Sequence, residues 1–82
     1  AKEWMGRALL IDPENWGMRY NFACCLATQL NDPAAAIEML RPVLLRGSRS
    51  RVDYAKIDPD FDGLRDDPRF QALIAEAEAR LE

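Results

Sequence analysis

The sequence predicts an all-α fold of antiparallel helix-turn-helix repeats, closed by a C-terminal capping helix. Three observations predict it. Apolar residues recur at helical spacing along the chain, and no strand is read anywhere. Asp-Pro pairs at Asp12-Pro13, Asp32-Pro33, Asp58-Pro59 and Asp67-Pro68 mark helix ends and starts. Ala1, Met5, Ala8 and Pro13 stand in an order to which a related pattern returns 35 residues later, at Ala36, Leu40 and Val43. A recurrence of about 34 residues, with small residues where helices cross, marks a helical repeat.

The first helix is predicted from the chain start to Ile11, with Trp4, Met5, Ala8 and Leu9 at helical spacing. Asp12-Pro13 ends it, because the residue before proline is pushed out of the helical region. Asn15 is the expected N-cap of a helix over Trp16 to Leu30. Phe22, Ala23, Leu26, Ala27 and Leu30 form a stripe broad enough to meet more than one neighbour. Asp32 caps the third helix and Pro33 suits its first turn. Ala36, Ile37, Leu40, Val43 and Leu44 face inward there. Pro42 predicts a kink or early fraying, and Gly47 a stop. Arg46 to Arg51 reads as a polar loop, followed by a short helix that Ser50 caps and Val52, Tyr54 and Ile57 line. Phe61 and Leu64 lie in a turn-rich stretch and are expected to plug the core. The last helix starts at Asp67-Pro68, with Phe70, Leu73, Ile74, Ala77 and Leu81 on one face. Five helical pieces with short links pack antiparallel.

Composition excludes several classes of function. The 82 residues make one domain, 49% hydrophobic and 30% charged, which is globular. The net charge of -3 and scattered basic residues argue against a nucleic-acid face. The uncharged stretch from Tyr20 to Leu30 falls far short of the ~20 apolar residues of a membrane span. No signal peptide is read, and the chain opens inside a helix, so a piece of a longer protein is expected. Cys24 and Cys25 are adjacent and poorly placed to bridge each other, which points to a reducing, cytoplasmic setting. Histidine is absent, which removes the usual general base and the commonest zinc ligand.

The pattern of Ala1, Met5, Ala8 and Pro13, then Phe22, Ala23 and Leu26, then Ala36, Leu40 and Val43, resembles the tetratricopeptide repeat family. The resemblance divides the single domain, residues 1–82, into three parts. Residues 1–13 match the second helix of a truncated repeat, 15–46 one full repeat, and 48–82 a C-terminal cap. Small residues at Ala23 and Ala36 let paired helices nest. Leu30-Asn31-Asp32 replaces the usual glycine-containing turn, with one residue inserted. The tail Ile57-Asp58-Pro59-Asp60-Phe61-Asp62, with Leu64 to Phe70, is similar to a segment that closes many bacterial repeat arrays. That ending often follows signalling domains, including those of adenylate-cyclase-type proteins. The resemblance implies a TPR-like α-solenoid fragment acting as a non-catalytic protein–protein interaction or scaffolding module. Its partner is a protein or peptide of unknown identity. A purely structural cap is the alternative.

The family's concave surface maps onto Tyr20, Asn21, Cys24 and Thr28. Tyr20 either offers rigid contact area to a peptide or packs on a neighbouring helix, and both readings stay open. A truncated repeat leaves part of Trp4, Met5 or Leu9 exposed, which predicts self-association.

Other constellations carry less. Asp58-x-Asp60-x-Asp62-Gly63 matches the opening of a calcium loop, with Asp66 as a further ligand. Its closing position falls on Arg69, so it reads as a capping turn with solvated aspartates. Cys24-Cys25 lacks the further ligands of a metal site, and no cofactor or metal is expected. Glu3, Glu14 and Glu38 read as solvated carboxylates. Arg46, Arg49 and Arg51 around Ser48 and Ser50 read as a solvated basic connection. Neither a histidine nor a paired nucleophile supports an enzyme.

Overall fold

The structure is a computed structural model that describes residues 3–81. Ala1, the first residue of the expected pattern, and Glu82 lie outside the described residues. Among those described there are six helices and no strand: α1 (Glu3–Ile11), α2 (Trp16–Thr28), α3 (Pro33–Arg46), α4 (Arg49–Ile57), a 3-10 helix (Pro59–Leu64) and α5 (Pro68–Leu81). Successive helices pack antiparallel.

The α2–α3 hairpin is the centre. Ala23 and Ala36 are fully buried, as are Leu40, Val43 and Leu44. Asn15 caps α2 by accepting from the Met18 amide at 3.0 Å, and Asp32 caps α3 by accepting from Ala35 at 3.1 Å. The link between them turns on Asn31, whose φ of 48° lies in the left-handed region. Asparagine tolerates that region better than most residues, so it stands in for the missing glycine. The Asp32 amide then returns to the Leu26 carbonyl at 2.7 Å. This turn ends α2 at Thr28, two residues short of the expected Leu30.

Pro42 does not fray α3, which continues to Arg46. Two arginines from neighbouring helices donate to its backbone. Arg19 Nε reaches the Met39 carbonyl at 3.3 Å. Arg80 of α5 reaches the Leu44 and Gly47 carbonyls at 3.1 and 2.7 Å, satisfying acceptors left open at the helix end.

The cap departs from expectation in three places. The predicted Arg46–Arg51 loop shrinks to Gly47 and Ser48, and Ser48 rather than Ser50 caps α4, accepting from the Arg51 amide at 3.4 Å. Val52 and Ala55 form the buried face of α4, whereas Tyr54 and Ile57 point outward. The turn-rich stretch is itself a 3-10 helix, so six helical pieces replace five. It delivers Phe61 and Leu64 into the core as expected. The 3-10 helix packs on α2, α5 packs on α3, and α4 closes against α5. Phe61 meets Phe70 of α5 at a ring separation of 6.1 Å.

α1 attaches through Met5, which is buried, and through Trp4, whose ring meets Phe22 edge-on at 4.9 Å. Of Trp4, Met5 and Leu9, among which exposure is expected, Trp4 is 54% accessible and Met5 is buried, and Leu10 and Ile11 are more exposed still, at 85% and 87%. No described helix is long and apolar enough to cross a membrane.

Phe61 joins hairpin to cap, and its removal opens a cavity at that junction. Phe61→Ala is expected to cost about 3–5 kcal/mol. In a domain of this size each kcal/mol lowers Tm by roughly 4–8 °C. A calorimetric shift of a degree or two would show that Phe61 is not a core anchor.

Candidate functional site

α2, α4 and the start of the 3-10 helix enclose an open recess of about 470 Å³. Tyr20, Asn21 and Cys24 line it from α2, Arg51 and Tyr54 from α4, and Asp58 and Asp60 from the cap. Three of the four groove residues predicted from sequence therefore meet here. Thr28 does not: it is exposed one turn further on, and its hydroxyl donates to the Cys24 carbonyl at 2.8 Å.

Asp58 is the floor. It is only 4% exposed, yet both carboxylate oxygens are engaged. Tyr20 donates its hydroxyl to one at 2.6 Å, and the Asp60 amide donates to the other at 2.9 Å. Asp58 also closes α4 and caps the 3-10 helix. On its outer side Arg65 donates to the Asp58 carbonyl at 2.9 Å. Tyr20 is thus turned inward, with its ring 5.4 Å from that of Phe61 and 6.2 Å from that of Tyr54. Of the two readings left open for Tyr20, the packed one is realised, against the cap rather than a helix of its own hairpin.

Of the aspartates in the calcium-loop pattern, only Asp58 and Asp60 come together among the described residues. Asp62 pairs with Arg65 three residues on, away from the recess. Asp67 is held by Arg69, whose side chain and then its amide keep the carboxyl down at about 2. Cys24, Asp58 and Asp60 place one ligand atom each within 4.8 Å of one another. Burial, followed by the charges of Asp58 and Asp60, raises the Cys24 thiol to about 12.

Sequence reasoning missed Tyr54, Asp58 and Asp60 as partners of Tyr20. Arg51, Tyr54 and Asp58 are separated by three and four residues, the spacing of one helix face, which is the signal that could have grouped them. The basic trio also separates. Arg51 leaves Arg46 and Arg49 to lie over the Tyr20 ring, 5.8 Å from its centroid.

No family model matches the chain, and neither a characterised protein nor a solved structure matches it.

The Tyr20–Asp58 bond is testable through pH. Burial, then the bond to Asp58, holds the Tyr20 phenol well above its ordinary range. Tyr20 and Cys24 both keep their protons more firmly folded than unfolded. The stability this confers is complete below about pH 8.5, where an unfolded cysteine begins to ionise. It is lost as pH rises toward 12. Melting curves between neutral and strongly alkaline pH should show that decline, shallower in Cys24→Ala. At neutral pH, Tyr20→Phe leaves a buried carboxylate short of a donor and should cost about 1–3 kcal/mol. An unchanged Tm for Tyr20→Phe would remove the bond from the list of stabilising contacts.

Proposed function

We propose that the chain is the end of a tetratricopeptide-type array and serves as a non-catalytic protein–protein interaction module of a cytoplasmic protein. The carrying observation is the recess on α2. The cap seals the hairpin yet leaves an open, mixed polar and aromatic surface beside it. Asn21 offers both a donor and an acceptor, and Tyr54 is 54% exposed, a combination suited to a peptide. The nesting of α2 on α3 through Ala23 and Ala36 supports the repeat reading. The free, partly buried Cys24 and Cys25 accord with a reducing compartment.

The structural-cap reading is favoured by one observation, the commitment of Tyr20 to Asp58. Tyr20→Ala cannot separate the two, because it would damage the fold as well as the surface. Asn21 and Tyr54 are exposed and can. Peptides selected on the chain from a display library should map by NMR to the recess. Asn21→Arg with Tyr54→Ala should weaken them roughly tenfold or more with Tm unchanged. Selected binders that map elsewhere, or that ignore the double variant, would favour the cap.

Leu10, Ile11 and Trp4 form a separate apolar edge, next to a groove of about 440 Å³ lined by Met5, Leu9, Leu26 and Met39. We assign this edge to self-association. Sedimentation should show mass rising with concentration, and Ile11→Lys should suppress the rise. A strict monomer at millimolar concentration would refute it.

A further inference from the structure

The recess has a charge imbalance that the interaction reading does not use. Asp58 and Asp60 bring carboxylate oxygens within 4.8 Å of each other, and among the described residues no lysine or arginine nitrogen lies within 4 Å of either carboxylate. Lys56, the nearest in sequence, pairs with Glu78, and Arg65 spends its guanidinium on the Asp58 carbonyl, the Lys56 carbonyl and Asp62. Above the carboxylates stand two aromatic rings, those of Tyr20 and Tyr54, tilted by 34° to each other. Carboxylates beside aromatic faces make a surface that attracts an organic cation. One cation is already there. Arg51 lies over the Tyr20 ring, and no described carboxylate pairs with its guanidinium. Among the described residues its guanidinium has the ring contact and no ion pair, which leaves it exchangeable.

We propose that this recess binds the basic side chain of a partner peptide, a guanidinium or ammonium, and that Arg51 is an internal placeholder which the incoming cation displaces. The proposal rests on the interaction reading and adds the chemistry of the partner. The charge count decides between cation and anion. Arg51 and the start of α4 favour an anion at one rim. Two carboxylates, one of them exposed Asp60, oppose it at the other. An entering arginine or lysine would take Asp60 as its counter-ion and the Tyr54 face as its wall. Exposed Asn21 is placed to hold the peptide backbone on either side.

The placeholder makes the proposal sharp, because removing a positive charge then has opposite effects on opposite ligands. Three blocked alanine pentapeptides, with arginine, glutamine or glutamate at the centre, are titrated into the isotope-labelled chain and followed by its amide resonances. The arginine peptide is expected to move Asn21, Tyr54 and Asp60, and to do so less as salt is raised. Arg51→Ala should tighten it by roughly two- to fivefold, the share of an exposed cation–π contact. Asp60→Asn should weaken it by a similar factor. Arg51→Gln keeps the side-chain stem and replaces Arg51→Ala if that variant melts early. Three results overturn the proposal: no response of these amides to the arginine peptide at millimolar concentration, a preference for the glutamate peptide, or weaker arginine binding after Arg51 is removed. A glutamate preference at the same amides would leave an interaction face standing and remove only its taste for cations. Silence towards all three peptides, with display-selected binders mapping elsewhere, would remove both.

Discussion

The structure turns on one buried carboxylate. A charged Asp58 held out of water is tolerated only when its lone pairs are occupied, and a phenol from α2 and an amide from the 3-10 helix occupy them. The two donors lie 38 residues and two residues away in sequence. One side chain therefore ends α4, starts the 3-10 helix and fastens the cap to the central hairpin. The bond also orients Phe61. Its ring packs on the inward-turned Tyr20 and passes the contact on to Phe70 of α5. The directional bond sets where the pieces meet, and the apolar contacts around it supply most of the stabilisation.

This constraint divides labour on the α2 surface. Tyr20 faces the recess in sequence pattern but serves the fold in space. The groups around it that are exposed, Asn21, Tyr54 and Asp60, are the ones the proposed interaction would use. Cys24 sits at the boundary. Burial, then its proximity to the two carboxylates, holds its thiol proton firmly. α1 belongs to neither group. Met5 and Trp4 attach it, while Leu10 and Ile11 at its end stay outside the core.

The all-α class, the Asp-Pro and Asn15 boundaries and the inner faces of α3 and α5 were legible because each depends on local chemistry. A cap residue and a helical period act within a few positions. The burial of Phe61 and Leu64 was legible too, since large apolar groups in a turn have few other places to go. What was not legible depends on contacts made across the chain. Pro42 signals a break, yet α3 runs through it to Arg46, and its inner face is buried between α2 and α5. Ser48 and Ser50 are equal candidates for a cap, and the choice follows from which register buries Val52 and Ala55. The acidic run invites a metal reading, and only the fold shows Asp62 pairing with Arg65, apart from Asp58 and Asp60. Repeat identity has no such local signature beyond small residues at crossings, which is why it stands as a proposal.

The register of α4 links the fold to the recess. Gly47 passes so close to the Val43 carbonyl that a Cβ would lie 2.4 Å from its oxygen, so a side chain there has to push the turn open. With glycine, two residues suffice to leave α3 and start α4 at the Ser48 cap. That short turn fixes the rotation of α4 about its axis. Val52 and Ala55 then enter the core, and Arg51, Tyr54 and Asp58 fall on the side facing α2. One added residue in the turn would rotate α4 by roughly 100° relative to its neighbours, the angle per residue of an α-helix. Val52 would leave the core, and Asp58 would lose its alignment with Tyr20. Core burial, the buried hydrogen bond and the lining of the recess therefore select the same register, so the surface that is open to a partner is held by the same turn that holds the cap in place.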